Sequence, residues 1–576
     1  MGTRLATALR GSRRPSGNDS AWLLDPERRG VPGRETMARF DEHEEVDMLI
    51  VGCGAGGATL AQRLARRGWR IVVLEAGPFW DPDEDWVSDE AGSHHIYWTE
   101  PRVIGGSDPV ELGKNNSGRG VGGSMVHFAG FVPRFHPSDF EVRTRDGVAA
   151  DWPLSYADLK PHYERVEREL PAAGEHWPWG DPHGYPHSPH PIAGGAVRAM
   201  EGARKIGVEF KVGPVAIANG SFGNRPHCIY RGLCLQGCKV NAKGSPLVTH
   251  VPDALAHGVE IRADSMATRI EVDEAGRCTG VTYVSDGVEH HQRAATVAVA
   301  GYSIETPRLL LHSTSPRFPR GLANGNDLVG RRVMVQGAPQ VAGRFPEELR
   351  MYKAPPPEIA SEQFYETDPR HDFVRGFSLQ TVGPLPIAWA EHVLADGHWG
   401  QALREYMRDY NHWYTLGALS ELLPRDENRV TLADETDAGG MPVARMDYSQ
   451  CDNDRANIAF AKRRLHDVLE AAGAQDVLTI DRYAHLVGGC PMSDSPATGV
   501  VDSDHRAWEV PNLFIADGSV MPTQGSANPA LTIMALASRL AERLGDKRVD
   551  AGGAAYGRAR RGTPSPWQRT SNRGSS

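Results

Sequence analysis

The sequence predicts an α/β protein: a Rossmann-like dinucleotide-binding domain joined to an α+β domain built on an antiparallel sheet. Three observations predict it. A strand, glycine turn, helix and second strand follow one another near the N-terminus. The later chain mixes many short strand-like runs with few long helices. The length, 576 residues, exceeds what one hydrophobic core normally serves, so two or more domains are expected.

The elements follow in chain order. VDMLIVG (46–52) is a short apolar run suited to a buried parallel strand. ATLAQRLARRG (58–68) places Leu60, Leu64 and Ala65 at helical spacing, with Gly68 as the stop. WRIVVLEAG (69–77) is the next strand, completing a βαβ unit. Between 259 and 301, VEIRADSMATRIEV, CTGVTYVSDG and ATVAVAG are expected as an antiparallel meander. PRLLLHS (307–313) opens a further helix. Residues 331–480 mix strands with one strong helix at 454–473, and the last ordered helix is NPALTIMALASRLAERLG (528–545). Residues 1–40 and 549–576 lack any apolar period and are expected to be disordered.

Composition narrows the function. The formal net charge of -10 excludes nucleic acid or an anionic membrane as the main partner, because both need a basic face. Seven scattered cysteines are too few for a disulfide framework. No run approaches the roughly 20 apolar residues of a membrane span. Arg13-Arg14 has no apolar stretch behind it, so no export signal is read, Met37 is a candidate start, and a cytoplasmic location is expected.

GCGAGG carries Gly52, Gly54 and Gly57 in GxGxxG spacing between the first strand and helix. Such a turn lets the backbone approach a pyrophosphate at a helix N-terminus, and Gly57 lets helix and strand pack closely. Glu75 ends the second strand, where a carboxylate accepts from ribose hydroxyls. A second glycine-rich stretch, GRGVGGSMVHFAGFVPR (118–134), exposes backbone at Gly120, Gly122 and Gly123. Two such loops suit a long cofactor with a ring at its far end, which favours FAD over NAD. The Rossmann-like unit is therefore expected to be the FAD-binding domain.

With these stretches and the blocks GYSIETPRLLLHS (301–313), HLVGGCPM (485–492) and NLFIADGSVMPTQGSANPALTIMALA (512–537), the chain resembles the glucose–methanol–choline (GMC) oxidoreductases. The resemblance covers roughly residues 45–545. It implies FAD-dependent oxidation of a hydroxyl compound, with His485 as base and Asn528 as donor at the flavin's reactive edge. A neutral imidazole can take the hydroxyl proton near pH 7, and an amide N–H can hold the oxygen. The glycines after His485 are expected to keep bulk away from its ring. Asp517 and Gly518 are expected near the ribityl or pyrophosphate portion, with Pro529 fixing the turn that presents Asn528. Ser124-Met125-Val126-His127 is similar to the sugar-acid dehydrogenase and pyranose oxidase branch. Ser124 and His127 are thus expected at the flavin. In some members of that branch a histidine at this spacing is bonded to the flavin 8α methyl, which makes His127 a candidate for a covalent link; a hydrogen-bonding histidine is the alternative. Tyr302 stands where the family carries a small residue, and Thr314 where it carries glycine.

Other signals are set aside. Cys228, Cys234 and Cys238, beside His227, do not follow a standard zinc spacing, and no metal is expected. GDPHGYPHSPHP (180–191) reads as a rigid surface loop or active-site rim, and WDPDEDWVSDE (80–90) as a solvated loop with tryptophan anchors. Residues 41–135, 240–330 and 480–548 are assigned to the FAD-binding domain, and 136–239 and 331–479 to the substrate domain. The expected partners are a small hydroxyl substrate and an electron acceptor, either oxygen or a separate redox protein or quinone. A non-catalytic flavin-binding protein and an NAD-dependent dehydrogenase are the competing readings.

Overall fold

Met48–Val51 is the central strand of a five-stranded parallel sheet, in the order Leu513–Ile515, Val297–Val299, Met48–Val51, Ile71–Leu74, Glu260–Arg262. Successive residues serve opposite cores. Leu49, Val51, Val72, Leu74, Val297 and Val299 enter one, while Met48, Ile50, Ile71, Val73 and Ala298 enter the other. Burial on both faces is what makes these runs continuously apolar. The computed structural model describes residues 39–110, 117–220, 222–223 and 225–551. Most of the expected disordered ends, 1–38 and 552–576, lies outside the described residues. Within them, the Arg39 and Phe40 amides donate to Glu260 Oε2, and the last helix runs Ala530–Ala551. Among the described residues no helix is long and apolar enough to cross a membrane.

Only the middle of the expected meander is antiparallel: Ser265–Val272, Cys278–Ser285 and Val288–Arg293 form a three-stranded sheet. The flanking runs, Glu260–Arg262 and Val297–Val299, join the parallel sheet instead. The helix expected from Pro307 begins earlier, at Tyr302, and carries Pro307 inside it. Tyr302 has φ +84, and its amide donates to Asp517 Oδ2 at 2.9 Å. That left-handed backbone accounts for the small residue the family carries at this position.

The second large sheet has eight strands and is antiparallel in its pairing, with Gln340–Arg344, Trp413–Ser420 and Phe377–Val382 side by side. On one face Val341, Leu379, Leu416 and Ala418 pack with Leu465, Val468 and Leu469 of the helix Asp452–Ala472. That helix starts at Cys451, whose amide donates to Asp454 Oδ2 at 3.1 Å, and stops at Gly473, φ +97. Residues of the other face, Gln340, Gly417 and Gln380, line a cavity that also reaches the parallel sheet. Near this sheet a buried guanidinium, Arg375, holds three carboxylates: Asp139, Glu421 at 2.8 Å and Asp146 at 3.0 Å. Asp139 also accepts from Tyr365 Oη at 2.7 Å, and its carbonyl accepts from Thr523 Oγ1 at 3.2 Å.

Candidate active site

One cavity of about 530 Å³ joins the two sheets. Its wall carries Gly52, Gly54, Glu75, Gly123, Ser124, His127, His485, Asp517, Gly518, Asn528 and Pro529. The chain thus brings together residues separated by more than four hundred positions. The remaining predicted glycines pack behind this wall. A Cβ on Gly57 would lie 2.0 Å from the Gly52 carbonyl, so helix and strand are in backbone contact there. Gly120 donates to Glu75 Oε1 at 3.0 Å, and Gly122 donates to the Cys53 carbonyl at 2.9 Å.

The two glycine loops meet directly. A Cβ on Gly123, which has φ +58, would lie 2.6 Å from Gly54 Cα. The second loop can therefore close over the first only if position 123 lacks a side chain. Gly123→Ala is expected to push the loops apart and lower flavin retention at least tenfold, read as the flavin-to-protein absorbance ratio after gel filtration. A fully loaded Gly123→Ala protein would overturn this.

Glu75 Oε2 accepts from the Cys53 amide at 2.8 Å, and Oε1 accepts from Gly77 and Gly120 at 3.1 and 3.0 Å. Burial raises its pKa, and these three amides oppose the rise. A carboxylate offers about four acceptor sites, so capacity remains for a ribose hydroxyl. Asp517 also accepts three hydrogen bonds. Its Oδ1 accepts from the Ser519 amide at 2.9 Å, and Oδ2 from the Tyr302 amide and Thr306 Oγ1 at 2.9 and 2.5 Å. It ties the Tyr302 helix to the loop that leads towards Asn528, at the cavity wall.

His485 sits on the strand Tyr483–Val487, which pairs with Met334–Gly337. Between the pairs Met334↔Val487 and Gln336↔Ala484 the histidine strand carries one residue more than its partner. Such a bulge re-aims a side chain, and His485 takes φ +52 within it. Its Nδ1 lies 2.7 Å from Gln336 Oε1, and its Nε2 lies 3.2 Å from Asn528 Nδ2. The hydrogen-bond network fixes the tautomer. Gln336 Nε2 donates to the carbonyls of Gly525 and Ala527 at 2.7 and 3.0 Å, so its oxygen must face the histidine. Nδ1 therefore carries the proton, and Nε2 is the bare acceptor towards Asn528 and the cavity. Burial lowers the His485 pKa to about 4, which keeps the ring neutral.

The glycines after His485 serve the backbone rather than the ring. Gly488 has φ +78, and a Cβ there would lie 2.2 Å from the Arg332 carbonyl. Gly489 has φ +105, and its carbonyl accepts from the Gly330 amide at 2.6 Å.

His127 is buried, with Tyr97 edge-on at 4.8 Å and no partner on Nε2 among the described residues. Its Nε2 faces Gly118, where a Cβ would approach to 2.8 Å. Burial, with help from the Lys243 charge, lowers its pKa to about 3. The buried Lys243 ammonium donates to the carbonyls of Val126 and Phe128, both at 2.9 Å, and to that of Cys234. It pins the peptide on both sides of His127. Ser124 Oγ accepts from the Gly118 amide at 2.9 Å and closes the same turn. Sequence reasoning reaches neither Gln336 nor Lys243, because a single polar residue in an otherwise ordinary segment carries no spacing signal.

These residues fit an FAD. A Cβ at Gly52 or Gly57 would strike backbone, a helix begins at Ala55, and Glu75 keeps acceptor capacity. Buried polar atoms without partners, His127 Nε2 and Asn528 Oδ1, lie among the residues of the same wall.

Comparison with known proteins agrees. Family profiles described as GMC oxidoreductase match residues 46–335 and 424–537. The chain is 31% identical to the 2-methyl-1,2-propanediol dehydrogenase of Mycolicibacterium austroafricanum, over 88% of this chain and 96% of that protein. It is 27% identical to the fructose dehydrogenase large subunit of Gluconobacter japonicus, over 88% and 98%. Among solved structures it shares the fold of pyridoxine 4-oxidase from Mesorbium loti (TM-score 0.64, 17% identity, 87% and 99% covered). Aspergillus oryzae formate oxidase is similar (TM-score 0.66, 16% identity, 89% and 100% covered). With both halves of the fold, the glycine cradle and the His485–Asn528 pair in one cavity, the chain belongs to the GMC oxidoreductases, FAD-dependent enzymes that oxidise CH–OH groups of alcohols and sugars.

Proposed function

We propose that His485 is the base and Asn528 the oxygen-holding donor in the oxidation of a hydroxyl group to a carbonyl. The observation that carries this reading is the 3.2 Å approach of Asn528 Nδ2 to His485 Nε2 beside the glycine cradle. FAD bound in the cradle supplies the acceptor for the hydride that leaves carbon. His485 Nε2 takes the hydroxyl proton, and the second N–H of Asn528 donates to the oxygen as negative charge builds on it. Gln336 holds Nδ1–H and so keeps Nε2 free to act. Glu75 and the 52–57 turn would hold the adenosine and pyrophosphate portions, and Ser124 and His127 would face the ring system. The buried Nε2 of His127, without a partner among the described residues, makes this residue the candidate for a covalent flavin bond. Flavin carried down with acid-precipitated protein would reveal that bond.

Anaerobic bleaching of the flavin by alcohols and sugars tests the reading, and a flavoprotein that none of them bleaches would refute it. Gln336 gives a sharper readout. Gln336→Leu, which frees the tautomer, is expected to slow flavin reduction about tenfold to a hundredfold. Gln336→Glu keeps an acceptor for Nδ1–H but loses the donations to Gly525 and Ala527, and is expected to raise the lower kinetic pKa from the value near 4 set by burial. A merely structural Gln336 would leave that pKa unmoved.

Likeness to the fructose dehydrogenase large subunit supports a second reading, in which a separate redox protein or quinone takes the electrons. Peroxide formation under air separates it from an oxidase. The parallel sheet supports an FAD-binding domain at 41–135, 240–330 and 480–548 beside a substrate domain at 136–239 and 331–479, although Tyr483–Val487 pairs into the eight-stranded sheet. All seven cysteines are free thiols, which favours a reducing, cytoplasmic location.

A further inference from the structure

The substrate half of the cavity has its own polar pattern. Gln340 and Gln380 both pair with Gly417, one from each side, so Gln340, Gly417 and Gln380 form a row across three adjacent strands. Residues directly opposite in a sheet share a face, and this face lines the cavity. The two glutamines are therefore two strand spacings apart, roughly 9–10 Å between their Cα atoms. Gly417 adds no side chain between them, and the Val382 and Gln340 side chains close in on it: a Cβ there would lie 2.9 Å from Val382 Cγ2 and 3.4 Å from Gln340 Cγ. Gln340 Oε1 and Gln380 Oε1 are both buried and have no partner among the described residues. Native structures rarely bury a carboxamide oxygen without a partner, and the packing helix lies on the other face, where it satisfies neither.

We propose that Gln340 and Gln380 determine specificity by hydrogen-bonding hydroxyls other than the one being oxidised, so that the substrate is a diol, polyol or sugar rather than a monohydric alcohol. This rests on the hydroxyl-oxidation reading of the same cavity. A hydroxyl donates to each amide oxygen and accepts from the amide nitrogen, so each glutamine can serve one hydroxyl, or two neighbouring ones, in either rotamer. The carbon skeleton between them would lie in the cavity that all three residues line. A site built around such amides disfavours compounds that lack the matching hydroxyls, because their binding would leave the amides unpaired.

The test uses the full-length FAD-loaded protein and stopped-flow flavin reduction by sorbitol, glucose and 1,2-propanediol against 1-butanol and benzyl alcohol. The expected result is a kcat/KM for the best polyhydroxylated compound about a hundredfold above the monohydric alcohols. Gln340→Leu and Gln380→Leu should each raise the KM for that compound about tenfold. They should raise kcat/KM for the monohydric alcohols, whose binding no longer strands an amide, and so narrow the discrimination. Flavin content and melting temperature report folding, and Gln340→Asn provides a shorter amide as a second variant, expected to fall between Leu and wild type. Equal reduction by monohydric alcohols, or leucine variants with unchanged KM, would overturn the glutamine assignment alone. If no compound in the panel reduces the flavin, the hydroxyl-oxidation reading falls with it.

Discussion

His485→Ala is expected to slow flavin reduction by about a thousandfold while leaving FAD bound. General bases contribute on the order of 10²–10⁴ in rate. The cradle that would hold the cofactor lies on other segments, the 52–57 turn and the 118–124 loop, so retention should not depend on the imidazole. Asn528→Ala should cost about 10²–10³, since it removes a donor aimed at developing charge. The double variant should fall well short of the product of the two losses, because the residues act on one oxygen and one proton. The pH profile adds a second signature. The base works as neutral imidazole, and burial holds its pKa near 4. Activity should therefore stay level through neutral pH and fall only as pH drops towards that value. A wild-type profile rising through about pH 6.5, the ordinary histidine value, would contradict the buried neutral base. A His485→Ala protein that reduces flavin at the normal rate would remove the residue from the mechanism.

Arg375→Met is expected to destabilise the protein by about 3–5 kcal/mol, the largest stability loss of any single substitution considered. The guanidinium is buried and faces Asp139, Asp146 and Glu421 at once. Removing it leaves buried carboxylates without compensation. Burial raises the Asp139 pKa to about 7, and Arg375 is the first of the groups opposing that rise. The sign of the pH effect follows. A carboxyl whose folded pKa exceeds its unfolded value binds more protons when folded, so stability falls as pH rises. The deficit of Arg375→Met should thus be greatest in mildly alkaline buffer and shrink as pH falls, read from denaturant midpoints. An unchanged midpoint would show that the cluster is solvated and unimportant. Activity should fall in step, because the Asp139 carbonyl holds Thr523, five residues before Asn528.

The sequence reading succeeds where signals are local. The glycine turn, its helix and the two flanking strands follow from spacing and continuous apolar runs, and the 452–472 helix from its period and its terminal glycine. It is weaker where a local cue competes with a distant contact. The apolar run at 307–313 reads as the opening of a helix, but the Tyr302 turn, held to Asp517, begins that helix earlier. The strands at 260–262 and 297–299 look like their antiparallel neighbours, and only their burial on both faces assigns them to the parallel sheet. His485 and Asn528 are visible through family resemblance. Gln336, Lys243 and the Gln340–Gly417–Gln380 row are not, because their meaning lies in cross-strand register and in hydrogen bonds to remote carbonyls. No single-chain pattern records either.

The left-handed backbone at His485 sets folding against chemistry. An L-residue with a side chain costs about 1–2 kcal/mol in that region, and glycine would relieve it. A campaign that ranked variants by heat tolerance alone would therefore favour glycine at the position proposed to carry the base. Hardening this enzyme calls for improvement elsewhere, with residue 485 held fixed and turnover scored in every round.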